Sequence, residues 1–225
     1  MKVAVLYSTG KDSSYALYLA IKQGHEIVSL VSIKSQAHDS FMYHVPNIHL
    51  TELCAEAMDL PLIVGETEGV KEDELQELKE ILTDLKEREG IEGVVSGALA
   101  SRYQFERVQK ICQDLGLKSI NPLWQKNQEE YMRELIKAGF KVLVVGVYAQ
   151  GLDEKWLGRI IDEKALEELI ELNRKFKISI VGEGGELETF VLDCPLYKKK
   201  IKIVEAVKTW NGVRGEYLIK KAELI

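Results

Sequence analysis

Only three cysteines, Cys54, Cys112 and Cys194, are scattered through the 225 residues. An odd, dispersed set argues against a disulfide framework, and no Cys-x-x-Cys pair supplies the usual ligand spacing for zinc or an iron–sulfur cluster. Basic excess is missing too: 30 Lys+Arg face 36 Asp+Glu, a net charge of −6. Nucleic-acid binders usually carry a basic footprint, so this balance argues against such a partner. Long apolar runs are absent; the first, at residues 3–7, is too short for a signal h-region or for a membrane span of about 20 residues. Internal repeats, low-complexity tracts and long linkers are also lacking. What remains is an ordinary mixture, 46% hydrophobic and 29% charged, which argues against intrinsic disorder. The expectation is a soluble, cytoplasmic, globular chain long enough for one large domain or two modest ones, with no membrane partner.

In the first half, short apolar runs alternate with longer amphipathic stretches. Strands are expected at 3–7, 27–33, 62–64, 93–96 and 118–120, and helices at 13–22, 48–58, 71–88 and 102–115. The first two strands are almost unbroken in apolar residues, which leaves no wet face. Such β/α alternation predicts an α/β fold, a Rossmann-like parallel sheet with helices on both sides. The helix at 71–88 is highly charged and reads as an exposed face carrying i,i+4 pairs. Around Asn121-Pro122-Leu123-Trp124 the pattern changes. A helix at 129–137, a buried strand at 140–148 and a helix at 164–175 follow. The alternating Lys200-Ile201-Lys202-Ile203 and the run 215–219 flank Asn211-Gly212, a favoured tight-hairpin pair. Two closely packed lobes are expected, residues 1–120 and a smaller α+β part at 121–225.

Strand one runs into Ser8-Thr9-Gly10-Lys11-Asp12-Ser13-Ser14, with a helix after it. A small-residue turn there points several backbone N–H groups at one spot, which suits a phosphate. Lys11 adds a cation, the hydroxyls of Ser8, Ser13 and Ser14 add donors, and Asp12 is placed to hold Mg²⁺ or to cap the helix. A plain Ser/Asp cap after an exposed turn is the bland alternative. The Walker pattern fails, because Asp12 follows Gly10-Lys11 and Val5 stands where the first glycine belongs. The segment resembles instead the Ser-Gly-Gly-x-Asp-Ser pyrophosphate loop of the ATP pyrophosphatase superfamily, whose members cleave ATP between the α and β phosphates and adenylate a substrate oxygen. Thr9 departs from that pattern, where glycine is usual.

A second motif, Gly182-Glu183-Gly184-Gly185-Glu186-Leu187-Glu188-Thr189, crowds three carboxylates among three glycines. In an extended segment Glu186 and Glu188 share one face and Leu187 points away. Two carboxylates so placed suit Mg²⁺, a cationic substrate group or an incoming ammonium; the bland alternative is an acidic turn before a strand. The stretch through Tyr197 resembles the Glu-Gly-Gly-Glu-x-Glu-Thr motif of the diphthine–ammonia ligase (diphthamide synthetase) family. Further matches are Gly24-His25-Glu26-Ile27-Val28, Met42-Tyr43-His44, Glu56-Ala57-Met58, the run from Gly97 to Gln104, Pro122-Leu123-Trp124 and Gly151-Leu152-Asp153. Together they span most of the chain in the family's order. Leu187 stands where many members carry an aromatic residue.

The resemblance implies an adenine-nucleotide α-hydrolase fold with a branch-specific second domain. It also implies the last step of diphthamide formation on translation elongation factor 2. ATP adenylates the diphthine carboxylate, pyrophosphate leaves, and ammonia displaces AMP. Mg²⁺ would accompany ATP. On this reading Lys11, Asp12 and Glu186 are catalytic, with Asp12 the metal ligand. Residues 8–14 with Ser32, Ile33, Gly97, Ala98 and Ser101 bind ATP. His44, Tyr103, Gln104, Trp124, Glu183, Glu186, Glu188 and Thr189 meet the substrate, whose trimethylammonium calls for aromatic faces or carboxylates. Residue 2 is lysine, so no N-terminal cysteine amidase is expected, and free ammonia or an amidotransferase partner is the implied donor. A homo-oligomer is left open. Two rivals remain. A related tRNA-modifying enzyme, adenylating a base before thiolation or amination, is favoured by the lysine-rich tail and opposed by the acidic balance and the lack of paired cysteines. A nucleotide sensor of the universal-stress type has no need of the second, glutamate-bearing motif.

Overall fold

A computed structural model of the chain describes residues 1–35, 46–67 and 71–225. Five strands, β1 (Lys2–Leu6), β2 (Glu26–Ser35), β3 (Leu62–Thr67), β4 (Gly93–Val95) and β5 (Lys118–Ile120), form a sheet in the order β3-β2-β1-β4-β5. All four pairings are parallel. Val3, Ala4 and Val5 of β1 are all fully buried because adjacent side chains enter opposite cores. Val3 and Val5 pack with α1 (Lys11–Lys22) and α2 (Thr51–Met58). Ala4 packs with Leu78, Leu82 and Leu85 of α3 (Lys71–Glu89) and with Val108, Ile111 and Cys112 of α4 (Arg102–Asp114). The unbroken apolar strands thus reflect a sheet covered on both faces.

The remaining elements are α5 (Gln128–Lys137), β6 (Lys141–Val147), α6 (Glu163–Phe176), β7 (Leu187–Asp193), β8 (Ile201–Trp210) and β9 (Gly215–Leu224). Their four strands make a second, antiparallel sheet in the order β7-β6-β9-β8. Side-chain caps set the starts of α4, α5 and α6: Ser101, Asn127 and Asp162 accept from the backbone N–H three residues on. The Asn-Gly hairpin forms as expected, although its loop has four residues, with Trp210 paired to Gly215 and the Asn211 side chain accepting from the Val213 and Arg214 amides.

One apolar cluster runs through both sheets, from Val5, Tyr15 and Leu17 through Tyr131 and Leu135 to Val144, Phe190 and Ile219. Polar bonds reinforce it. Asn47 donates to the Tyr217 carbonyl (3.0 Å) and accepts from the Ile219 amide (2.7 Å), so the segment after β2 grips the open side of β9. No helix among the described residues is long and apolar enough to cross a membrane.

Candidate active site

The order of the parallel sheet reverses between β1 and β4. In an open α/β sheet the loops leaving the strand ends at such a point diverge and leave a crevice. Here a cavity of about 1320 Å³ opens there. Residues 7–13 after β1, 96–104 after β4, and the glutamate loop with the start of β7 contribute to its wall. The β8–β9 hairpin closes it with Trp210, Arg214 and Glu216.

The loop after β1 is built to present donors. Gly10 precedes α1 and offers no side-chain cap; Thr189 takes the Lys11 amide, and the next amides, of Asp12 and Ser13, are left toward the cavity. Ser13 folds back, its Oγ 3.2 Å from the Ser8 amide and 3.2 Å from the Ser8 hydroxyl. Thr9 adopts φ 67° and is wholly buried, and its hydroxyl has no hydrogen-bond partner among the described residues. A β-branched residue in the left-handed region is strained, which explains why glycine suits this position. Its carbonyl accepts from the Val191 amide at 3.0 Å, locking the loop to β7. Gly97 closes the other side. A Cβ there would stand 2.7 Å from the Asp12 carbonyl carbon and 2.7 Å from the Ser13 nitrogen, so only glycine lets the β4 loop approach α1 this closely.

Lys11 is 2% exposed and ties the two motifs together. Its Nζ donates to Asp12 Oδ2 (2.8 Å) and to the Val181 carbonyl (2.5 Å), while its amide donates to Thr189 Oγ1 (3.2 Å). The other Asp12 oxygen accepts from the buried Tyr131 hydroxyl at 2.8 Å. Burial, followed by the Asp12 charge, raises the Tyr131 pKa well above that of a free phenol, so Tyr131 stays a donor.

The three glutamates of the second motif have different surroundings. Glu183 Oε1 accepts from the amides of Ala100 (2.8 Å) and Ser101 (2.5 Å), at the start of α4. Glu186 accepts from Ser179 (3.1 Å) and Gly184 (2.8 Å), bracing its own loop, and does not line the cavity. Glu188 lies in β7 and lines the cavity. Burial first, opposed by Lys11 and assisted by Asp12, raises its carboxyl to about 7. The shared face expected for Glu186 and Glu188 does not form. Gly182 and Gly185, at φ 74° and 80°, fold the chain before β7 begins at Leu187, so the two-residue period does not extend back to Glu186.

The expected residues Ser8, Gly10, Lys11, Asp12, Ser13, Ile33, Gly97, Ala98, Ser101, Tyr103, Gln104, Glu183, Glu188 and Thr189 all border the cavity. Thr9, Ser14 and Ser32 lie behind its wall as buried support. Trp124 does not border the cavity: half-buried, it stacks on Phe105 with ring centroids 4.0 Å apart. His44 lies outside the described residues. Sequence reading missed Tyr148, which ends the expected buried strand at 140–148, and Trp210, Arg214 and Glu216, whose only signal was the hairpin itself. Tyr148 donates to Glu216 at 2.9 Å. The three thiols are buried, and burial pushes Cys54 to about 12 and Cys112 and Cys194 to about 11, which keeps them protonated and unreactive.

Family models described as the diphthamide synthase N-terminal and C-terminal domains match residues 1–119 and 127–225. A protein of Mus musculus named diphthine–ammonia ligase is 42% identical over 225 residues, covering 90% of this chain and 83% of its own length. The Homo sapiens protein of the same name is 42% identical over 220 residues, covering 89% and 82%. That of Schizosaccharomyces pombe is 38% identical over 224 residues, covering 91% of this chain and 36% of the longer relative. A solved structure described as a predicted subunit of tRNA methyltransferase from Methanocaldococcus jannaschii aligns with 17% identity and a TM-score of 0.44 over 87% of this chain and 98% of that one, a likeness too remote to bear on function.

Proposed function

The chain belongs to the diphthamide synthase family, and from that premise we propose that it is a diphthine–ammonia ligase acting on translation elongation factor 2 in the cytoplasm. The reaction is an ATP-dependent amidation. The diphthine carboxylate attacks the α-phosphorus, pyrophosphate departs, and ammonia displaces AMP from the acyl-adenylate. The observation that supports this most is the meeting, in one cavity, of the α1 N-terminus, Lys11 and the glutamate-bearing loop. A carboxylate becomes electrophilic only after one oxygen is turned into a leaving group. The cavity accordingly needs a phosphate cradle and a nucleophile site side by side.

In this reading residues 1–120 bind ATP. Leu6, Val31, Ile33, Leu78 and Val108 form an apolar patch of the wall suited to adenine. The phosphates take the amides at the start of α1, the Ser8 and Ser13 hydroxyls, and the segment Gly97-Ala98 to Ser101. Lys11 exchanges its Val181 carbonyl for phosphate oxygens and offsets charge that grows during the transfer. No group of three acidic, His or Cys side chains suited to a metal occurs among the described residues. Mg²⁺ typically takes one or two carboxylates with phosphate oxygens, and Asp12, about one-third exposed, fits that need. Bound there, it would neutralise phosphate charge.

Residues 121–225 contribute the substrate side. Trp210 and Tyr148 supply aromatic surface and Glu216 a carboxylate, the chemistry that a trimethylammonium group requires, with Tyr103, Gln104 and Thr189 completing the wall. The test is incubation with ATP, ammonium and unamidated elongation factor 2. AMP and pyrophosphate in equal amounts, with a carboxylate replaced by an amide in the mass spectrum, are expected; stoichiometric ADP would sink the proposal.

A further inference from the structure

Resting on the ligase reading, we infer that Glu188 is the group that holds the incoming ammonium ion and takes its proton. Three carboxylates stand in the second motif, and two are already committed to backbone amides. Glu183 satisfies Ala100 and Ser101 and Glu186 satisfies Ser179 and Gly184, whereas the Glu188 carboxylate accepts no hydrogen bond among the described residues. A partly buried carboxylate without donors is costly, and a small cation with N–H groups is the partner that offsets that cost.

Its placement suits the chemistry. The next residue, Thr189, holds the Lys11 amide, so Glu188 stands beside the loop proposed for the phosphates. Gly146 lies opposite it in β6, where a Cβ would come within 3.0 Å of the Glu188 Cβ and 2.7 Å of the Tyr148 ring. Glycine there leaves room for both side chains in the wall. The charged and titratable groups that act on Glu188 are Lys11 and Asp12 from α1, while Tyr148, after β6, feels the Glu188 charge. A carboxylate without donors is satisfied by N–H groups, which ammonium has and a trimethylammonium lacks; the trimethylammonium is left to the aromatic surface of Trp210 and Tyr148, with Glu216 supplying long-range attraction.

Ammonium predominates over ammonia at neutral pH and has no lone pair with which to attack. Transfer of one proton to Glu188 frees that pair, and the nitrogen bonds to the acyl carbon. The carbon–oxygen bond to AMP then breaks with its electrons on the phosphate, and the nitrogen sheds its remaining excess proton to water. Burial raises the Glu188 carboxyl, which makes it a stronger base than an ordinary glutamate.

Glu188→Gln and Glu188→Asp, assayed in the full chain with elongation factor 2, test this. Substrate-dependent exchange of pyrophosphate into ATP, which needs no nitrogen donor, is expected to stay within about 3-fold of wild type in both. Amide formation from ammonium at neutral pH should fall on the order of 10²-fold in Glu188→Gln and less in Glu188→Asp. Hydroxylamine, a much weaker base that is mostly unprotonated at neutral pH, should restore product in Glu188→Gln as the hydroxamate to within about 10-fold of wild type. Raising the pH, which supplies free ammonia, should shrink the same defect. Normal exchange without rescue by hydroxylamine or alkaline pH overturns the inference alone. Loss of exchange in Glu188→Asp places the residue in adenylation and also overturns it. Failure of the wild type to exchange would remove the ligase reading itself.

Discussion

The loop after β1 and the loop before β7 face each other across one cavity, yet they are held by opposite means. The first is a set of donors kept largely open: Gly10 gives α1 no side-chain cap, only the Lys11 amide is taken, by Thr189, and Thr9 holds a left-handed conformation. The second is a set of acceptors largely closed on backbone amides, with Glu183 and Glu186 stitching the chain and Glu188 left over. The contrast teaches that a dense cluster of charged residues is not a dense cluster of reactive ones. Glycine turns need carboxylates to satisfy their exposed amides, and residues serving that need are not available to a substrate.

The sharpest way to break the contrast is at Lys11, where the loops meet. Lys11→Ala removes the cation from Asp12 and the donor from the Val181 carbonyl. We expect AMP formation to drop on the order of 10²–10³-fold, measured as labelled AMP released per enzyme. A loss below about 5-fold would mean that the loop amides alone carry the phosphate charge.

Next in size is Gly182→Ala. With φ at 74° and the Leu187 carbonyl oxygen 2.4 Å from a built Cβ, the substitution strains the backbone and forces the second loop apart. A destabilisation of about 2–4 kcal/mol is expected in urea melts, from the left-handed penalty and the clash together. An unchanged midpoint would show that the loop is looser than its bonding implies.

Glu186→Gln separates bracing from chemistry. An amide side chain retains one good acceptor for the Ser179 and Gly184 amides, so stability should fall by about 1 kcal/mol. Nucleotide affinity, read by calorimetry, should stay within about 3-fold, corresponding to well under 1 kcal/mol. If amidation vanished while the melt and the affinity held, Glu186 would be a reacting group and the division of labour drawn here between it and Glu188 would fail.

The smallest effect tests the first loop's strain. Thr9→Gly relieves the left-handed conformation and removes a buried hydroxyl with no partner, and these gains outweigh the added freedom of glycine in the unfolded chain. A gain of about 1 kcal/mol is expected, visible as a higher melting temperature. A loss would show that the Thr9 methyl group packs better than its backbone is strained.

Much of the first sheet was legible because both faces are covered, which forces short, nearly unbroken apolar runs; β3, read as 62–64, extends to Thr67 because Gly65-Glu66-Thr67 leaves the apolar pattern. Residues 118–120 appear as β5 at the expected limits. The strand β8 was legible only at its start, since the register with β9 slips near Ile203, Glu205 and Ala206 and breaks the two-residue alternation. In the site, Lys11, Asp12 and Gly97 stood out by their local pattern. Trp124, expected at the substrate, stacks on Phe105, and an aromatic residue near a motif looks the same in sequence whether it packs on a neighbour or faces a ligand.

The sequence by itself determined the parallel α/β sheet, the two motifs and the family, because these depend on hydrophobic period, turn chemistry and residues close along the chain. The tertiary structure alone decided that Val181 reaches Lys11 across 170 positions, that Glu188 is the one glutamate of the second motif accepting no hydrogen bond among the described residues, and that the β8–β9 hairpin walls the cavity. Those facts rest on close approach between distant segments and on which backbone amides each glutamate satisfies. A one-dimensional pattern carries neither.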